Sequence, residues 1–334
     1  MQFFLCLALI FAALTSTGNA AVAQARQLYL AHVGGPGSLF EACANEFARR
    51  ANVRLPTGYE VVAVGGSRLG SDTEVLAKIK RGEVAFGLPS TVMSSMSPKF
   101  GVFELPFLIR NRDQVRKISD ALLEPVLQPE VKKHGYRILA IWENGFRQIT
   151  NNVRPIKSPR DLAGLRLRIP KGVWREKAFR TLGAVPVPMA LNETYEALRS
   201  GSVNGQENPL AQIKGSKFDE VQRYLTLSDH IYSPAYLITS DKHFADLPRS
   251  VRSVLNSTAE EMRSWVYQTA IRTEGQLLDR LSETMKTNQI DFKAFRTASR
   301  PLYGEFARTV PDGAKLITMV ADLADIESSE LTVR

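Results

Sequence analysis

The chain has 334 residues and a formal net charge of +9, with 43 lysines and arginines against 34 aspartates and glutamates. This length exceeds one typical hydrophobic core, so we expect two lobes. The basic residues are scattered among acidic ones and form no aromatic-basic stripe. This pattern is not that of a nucleic-acid interface, and it is compatible with a small anionic ligand.

The amino terminus has the features of an export signal. The first 23 residues carry no charged side chain, and residues 3–14 form a nearly unbroken apolar run. Such a run fits a signal peptide and is too short to span a bilayer. Two small-x-small sequences, the pattern of signal-peptide cleavage sites, end at Ala20 and Ala23. We expect cleavage near Ala23, which leaves a mature chain that begins at Gln24.

Strands and helices alternate along the mature chain, which is typical of parallel sheets in α/β proteins. Predicted strands are residues 27–33, 59–64, 84–88, 135–142 and 165–169, and predicted short helices include 73–81 and 192–199. From Ser250 to Met285 the apolar residues recur at helical spacing. This last pattern predicts one long helix near the carboxyl terminus.

Residues 165–170, with the sequence LRLRIP, combine a strand pattern with two cations. Period-two alternation places Arg166 and Arg168 on one face of the strand and the apolar residues on the other. Pro170 cannot donate to a sheet ladder, so the strand should end there. Arg168 is then at the carboxyl end of its strand, where open α/β sheets form ligand crevices.

Four segments in order resemble the solute-binding subunits of TRAP transporters, the DctP-type periplasmic receptors for organic acids. These are GFRQITNN, GLRLRIP, LGAVPVPM and NETYEALRSGSVNGQENP, at residues 145–152, 164–170, 182–189 and 192–209. The likeness extends more weakly from the first strand to about Leu247. It implies a two-lobed periplasmic-binding-protein fold of the α/β class with a hinge, central sheets flanked by helices, and a long carboxyl-terminal helix that braces both lobes.

The resemblance also implies the division of the chain. After the leader, residues 1–23, lobe I is expected to comprise 24–144 plus about 233–275. Lobe II is expected to comprise 145–232 plus about 276–334. The chain should cross between the lobes near residues 143–145 and 228–233.

One side of the ligand site is expected around Arg168. A guanidinium matches a carboxylate bidentately, and the family's carboxylate-binding arginine stands in the same sequence context. The resemblance implies a second cation, Arg147, with a sheet-edge ion pair as the alternative. It implies ligand contact by Asn208. For Glu207, ligand contact and a role in pinning the turn between the lobes are both open.

The other side of the site is expected from lobe I. Asp72, Ser90 and Thr91 follow predicted strands and are candidates to bind the remaining groups of the ligand. Trp174 has two alternatives, stacking on an apolar part of the ligand or capping the core of its lobe.

Enzyme and metal motifs are missing from the sequence. There is no G-x-S-x-G, no H-E-x-x-H and no paired-cysteine metal signature. The four histidines are scattered, and Cys43 is the only cysteine outside the leader, so an internal disulfide is excluded. We expect no catalytic residue, no metal and no cofactor.

The resemblance predicts a periplasmic receptor that captures a small organic acid between its lobes. The receptor would act as a monomer and deliver the acid to an ion-driven TRAP-type membrane permease. An extracytoplasmic sensor with the same site and a secreted enzyme on a similar fold are the alternatives. A C4-dicarboxylate, a sugar acid, a keto or hydroxy acid and an aromatic acid all remain open as the ligand.

Overall fold

Two mixed sheets organise the computed structural model, which describes residues 25–331. The predicted leader and its cleavage site therefore lie outside the described residues. The strands are β1 Arg26–Ala31, β2 Tyr59–Val64, β3 Phe86–Gly87, β4 Tyr136–Phe146, β5 Gln148–Asn151, β6 Arg166–Ile169, β7 Val185–Pro188, β8 Gly205–Asn208, β9 Tyr224–Leu227, β10 Tyr232–Ser240 and β11 Lys286–Gln289.

Helices cover both sheets. The α-helices are α1 Leu39–Arg54, α2 Asp72–Arg81, α3 Met93–Met96, α4 Arg112–Leu122, α5 Gln128–Lys132, α6 Val173–Thr181, α7 Leu191–Arg199, α8 Leu210–Gly215, α9 Asp241–Ala245, α10 Arg249–Ser282, α11 Phe292–Thr309, α12 Gly313–Leu323 and α13 Ser328–Leu331. A 3-10 helix, Pro98–Glu104, precedes α4. In the part of the chain that the structure describes, no helix has both the length and the apolar character needed to cross a bilayer.

Each sheet forms the centre of one lobe. Lobe I contains the five-stranded sheet in the order β2-β1-β3-β10-β4, and lobe II contains the six-stranded sheet in the order β11-β9-β5-β8-β6-β7. Strands β1, β2 and β3 are parallel, whereas β10 runs antiparallel to β3 and β4. The predicted α/β fold with two lobes is confirmed.

The chain passes between the lobes at two neighbouring places. Strand β4 of lobe I is followed after one residue by β5 of lobe II, and β9 of lobe II is followed by β10 of lobe I. Because β4 and β10 pair along their length, the two connections lie side by side. Such paired connections are suited to hinge motion of one lobe against the other.

The carboxyl-terminal helices pack against both lobes. Helix α10 is 34 residues long, about 51 Å at 1.5 Å per residue, and packs against α1, β4 and α8. Helix α11 packs against α6 of lobe II, but α12 packs against the 98–104 segment and α4 of lobe I. Because α12 also packs against α11, the assignment of residues 276–334 to lobe II stays a prediction.

Candidate functional site

The carboxyl end of β6 and the amino end of α2 meet at a small cavity between the lobes. The cavity has a volume of about 30 Å³. Its lining residues come from both lobes: Ser71, Asp72, Thr73, Val92, Arg168, Pro170, Lys171, Met189, Ala190 and Leu191. Two predicted site residues, Asp72 and Arg168, are thereby brought together.

Local sequence fixes where α2 begins. The Glu74 carboxylate accepts hydrogen bonds from the backbone N–H and the hydroxyl of Ser71, each at 2.8 Å, as in a capping box. Gly82 ends the helix with a positive φ of 78°, a conformation that glycine adopts without steric cost. Asp72 is consequently the first helical residue, with its side chain at the cavity.

The Asp72 carboxylate is half-buried and has no hydrogen-bond or salt-bridge partner within residues 25–331. Burial raises the pKa of Asp72 to about 7, although the positive charge of Arg168 acts in the opposite direction. A carboxylate in such a place is an unused acceptor of hydrogen bonds.

Arg168 is held on the lobe II side of the cavity. Strand β6 pairs with β7 and β8, so that Arg168 lies opposite Val187 and Gln206. Its side chain is only 2% exposed, and its Nε and Nη2 donate to the Met189 carbonyl at 3.1 and 2.7 Å. Burial, with the nearby charges of Arg147 and Arg175, lowers the pKa of Arg168 to about 9, although the negative charges of Glu207 and Asp72 act in the opposite direction.

Arg168 differs in its partners from two other buried arginines. Arg147 forms an ion pair with Glu207, and Arg175 pairs with Glu207 at 2.7 Å and with Glu104 at 2.6 Å. For Arg168, no carboxylate of the described chain lies within salt-bridge distance. Its guanidinium is therefore a buried cation that has remaining donors and no carboxylate of the described chain in direct contact.

Two predicted site residues, Arg147 and Glu207, belong to this buried network of ion pairs. Burial alone would raise the pKa of Glu207, but Arg147 and Arg175 hold it well below its usual range. His230 Nε2 lies 3.2 Å from the same carboxylate. The structure thus shows the ion-pair alternative for Arg147 and the pinning alternative for Glu207, and ligand contact by either residue stays a prediction.

Asn208 lies at the end of β8, beside the network. Its Oδ1 accepts from Arg147 Nη2 at 3.0 Å, and its Nδ2 donates to Gln206 Oε1 at 2.6 Å. One amide N–H and one lone pair of oxygen remain after these bonds. Asn208 does not line the cavity with Asp72 and Arg168, so its ligand contact also stays a prediction.

The loop after β3 contacts both lobes, and its residues Ser90 and Thr91 do not line the cavity. Ser90 Oγ donates to the Pro234 carbonyl of lobe I at 2.7 Å, and Thr91 Oγ1 accepts from Arg175 Nη2 of lobe II at 3.3 Å. A Cβ on Gly172 would lie 2.9 Å from the Thr91 methyl carbon. Here the two lobes are in close contact.

Trp174 packs in the core. Its ring lies 4.8 Å from that of Phe306, with Lys177 Nζ at 4.6 Å, and the side chain is 3% exposed. These contacts fit the core-capping alternative. Contact of Trp174 with a ligand stays a prediction.

The sequence analysis missed Arg175. This residue joins α6 of lobe II to Glu104 of lobe I, and both side chains are buried. Its spacing was a usable signal, because Arg175 stands three and four residues before the buried Ala178 and Phe179 on the same helical face. Among residues 25–331 no group of three or more His, Cys, Asp or Glu side chains could hold a metal ion.

Comparison with known proteins identifies the family to which the chain is similar. The family model described as bacterial extracellular solute-binding protein, family 7 (DctP), matches residues 30–309. The 2,3-diketo-L-gulonate-binding periplasmic protein YiaO of Escherichia coli K12 is 29% identical over 261 residues, 77% of this chain and 80% of YiaO.

Solved structures of related proteins superpose on most of this chain. The sugar acid binding protein DctPAm from Advenella mimigardefordensis, in complex with galactonate, superposes with a TM-score of 0.86 at 29% identity, covering 90% of this chain and 98% of DctPAm. A TRAP periplasmic solute-binding protein from Sulfurospirillum deleyianum with bound succinate gives a TM-score of 0.84 at 29% identity, covering 89% and 98%. The chain therefore belongs to family 7 of the bacterial extracellular solute-binding proteins, the DctP family.

Proposed function

We propose that this protein is a periplasmic receptor that binds a small organic acid through Arg168. The single observation that carries the proposal is that Arg168 is a buried guanidinium with no carboxylate of the described chain in salt-bridge contact. A buried unpaired charge is unfavourable, whereas a charge-assisted bidentate pair with a carboxylate is strong and directional. A ligand carboxylate would supply the anion that Glu207 supplies to Arg147 and Arg175.

The ligand would bind by hinge motion. A cavity of about 30 Å³ is roughly the size of one water molecule, far below the several hundred Å³ of usual ligand pockets. The lobes must therefore separate to admit an acid and then close over it. Since Asp72 and Arg168 line the cavity from different lobes, a ligand that contacts both would favour the closed state.

The relatives support this class of ligand. Galactonate, succinate and 2,3-diketo-L-gulonate, which the related proteins bind, all contain a carboxylate. On this basis the exported, leader-free monomer would deliver its acid to an ion-driven TRAP-type permease. Ligand contacts by Arg147, Asn208, Glu207, Ser90, Thr91 and Trp174 are secondary parts of the proposal.

A thermal-shift screen tests the proposal. Ligand that binds only the folded state raises Tm, so an organic acid should raise Tm while its uncharged primary amide should not. Hits are confirmed by calorimetry. Equal Tm shifts with acids and amides, or no shift with any organic acid, would contradict a receptor for carboxylates.

A further inference from the structure

We propose that Gln206 is a positioning residue that orients the side-chain amide of Asn208 so that it donates to the carboxylate of the ligand. The inference rests on the proposed function, in which Asn208 contacts the ligand. It starts from a chain of hydrogen bonds through the interior of lobe II, which we call the amide relay. Its four side chains are at most 4% exposed: Asn208, Gln206, Thr150 and Gln222.

Sheet pairing brings the members of the amide relay together. Gln206 in β8 lies opposite Thr150 of the antiparallel strand β5 and opposite Arg168 of the parallel strand β6. Asn208 is two residues further along β8 and therefore lies on the same face of the sheet. Asn208 Nδ2 donates to Gln206 Oε1 at 2.6 Å, and Gln206 Nε2 donates to Thr150 Oγ1 at 2.9 Å. The Thr150 hydroxyl in turn donates to Gln222 Oε1 at 3.1 Å.

The direction of the amide relay is fixed at both ends. At one end Arg147 Nη2 donates to Asn208 Oδ1 at 3.0 Å, and a guanidinium has no acceptor. At the other end Gln222 Nε2 donates to the Val221 carbonyl at 3.0 Å, and a carbonyl has no donor. Each side-chain amide of the relay therefore has its oxygen toward Arg147 and its nitrogen toward Val221.

This direction decides what Asn208 offers to a ligand. Its Oδ1 accepts from Arg147 and one hydrogen of its Nδ2 bonds to Gln206, so the second amide hydrogen remains. An ionised carboxylate only accepts hydrogen bonds, so it matches a free N–H and would be repelled by an amide oxygen. Without the Gln206 oxygen, Arg147 alone would hold the amide, and a buried N–H would lose its partner, which is unfavourable.

A structural role of the amide relay differs from a positioning role in its consequences. A buried, fully bonded network also stabilises the sheet, so removing any member should lower stability. A positioning residue additionally affects ligand binding, and it does so only through the group that it orients. The effect of Gln206 on affinity should therefore depend on the presence of the Asn208 amide.

A double-mutant cycle in binding free energy tests this dependence by titration calorimetry. The probe is the acid that the wild type binds most tightly among galactonate, succinate and D-erythronate, which related structures contain, and the acids of the thermal-shift screen. Gln206→Met should weaken binding about tenfold or more, because the Asn208 amide loses its orientation. In the Asn208→Ala background the same substitution should change the affinity by less than about twofold, since the oriented group is gone.

Thr150 gives an independent pair of variants, which serves if Gln206→Met folds poorly. Thr150→Val removes the hydroxyl that accepts from Gln206 and should also weaken binding, whereas Thr150→Ser keeps a hydroxyl and should restore the affinity. Thr226→Val is the matched control. The Thr226 hydroxyl is buried in strand β9 of the same sheet and donates to Asn288 Oδ1 at 3.0 Å, outside the amide relay. Its loss should lower Tm without changing the affinity.

The contrary results are separable. Wild-type affinity in Gln206→Met or in Asn208→Ala, or an equal loss from Gln206→Met in both backgrounds, overturns the positioning role and leaves the receptor function standing. An equal loss in Thr150→Ser and Thr150→Val does the same. A folded wild type that binds none of these acids overturns both the positioning role and the receptor function.

Discussion

Arg175 in lobe II donates to Glu104 in lobe I at 2.7 Å, and both side chains are buried. The same guanidinium donates to Glu207 in lobe II, so a single arginine joins the two lobes. Burial raises the pKa of Glu104 despite the opposing effect of Arg175. Arg175 thus opposes the neutralisation of Glu104 that burial favours.

Breaking this pair should destabilise the fold. Arg175→Gln leaves Glu104 without its cationic partner, which typically costs about 3 to 5 kcal/mol, whereas Glu104→Gln should cost less because Arg175 keeps Glu207. In a double-mutant cycle measured by urea unfolding, we expect a coupling energy of at least about 1.5 kcal/mol. The exposed pair Arg199–Glu196 is the matched control and should show almost no coupling. If the two substitutions change the free energy of unfolding additively, the proposed interaction between Arg175 and Glu104 is refuted.

Asp72 should make stability depend on pH. Its folded pKa of about 7 is above the ordinary value of 3.8, so the folded state holds a proton that the unfolded state releases between these values. The contribution of Asp72 to stability therefore falls as pH rises from about 4 to 7. Asp72→Asn, which cannot ionise, should gain at least about 2 °C in Tm over wild type at pH 8, and the gain should vanish toward pH 4.

Asp113→Asn, which removes an exposed carboxylate from the first turn of α4, is the matched control for loss of a carboxylate at a helix start. A Tm difference for Asp72→Asn that is constant from pH 4 to 8 would mean that the carboxylate is not destabilised by burial. Differential scanning calorimetry of the unliganded proteins gives this comparison directly.

The loop after β1 offers a test of lobe closure. A Cβ on Gly35 would overlap the backbone carbonyl oxygen of Gly215, at the contact between α8 and the amino end of α1. Gly35→Ala should therefore keep the lobes apart and weaken ligand binding about tenfold or more without touching the ligand. Small-angle scattering should show compaction with ligand in wild type and less compaction in the variant.

Gly275→Ala is the control for adding a methyl group, because the space around Gly275 is open and the residue lies inside α10. It should bind and compact like wild type. Compaction of Gly35→Ala equal to that of wild type would show that this contact does not limit closure.

The sequence predicted the parts of the site that depend on local pattern. Strand alternation and Pro170 placed Arg168 at the carboxyl end of β6, because period-two geometry needs no distant information. The predicted alternation of strands and helices likewise led to the α/β class. Chain length predicted two lobes, whereas the crossings between them came from the resemblance of four ordered segments, not from composition.

Other parts depend on residues far apart in sequence. Arg175 meets Glu104, 71 positions away, and Arg147 meets Glu207, 60 positions away. Local spacing does not identify the partner of either arginine, because the sequence contains many carboxylates. The contacts of α12 with α11, α4 and residues 98–104 depend on packing of its apolar face, and a helical pattern alone does not assign that face to a partner.

The central claim is that Arg168 binds the carboxylate of the ligand, and titration calorimetry of Arg168→Ala beside Arg166→Ala tests it most directly. Arg166 is exposed on the same strand and donates to the Gly201 carbonyl at 2.7 Å, so it controls for loss of a strand arginine. With an acid from the thermal-shift screen, Arg168→Ala should lose on the order of 2 to 5 kcal/mol of binding free energy, whereas Arg166→Ala should bind like wild type. Unchanged affinity in a folded Arg168→Ala protein, or an equal loss in both variants, would contradict the claim.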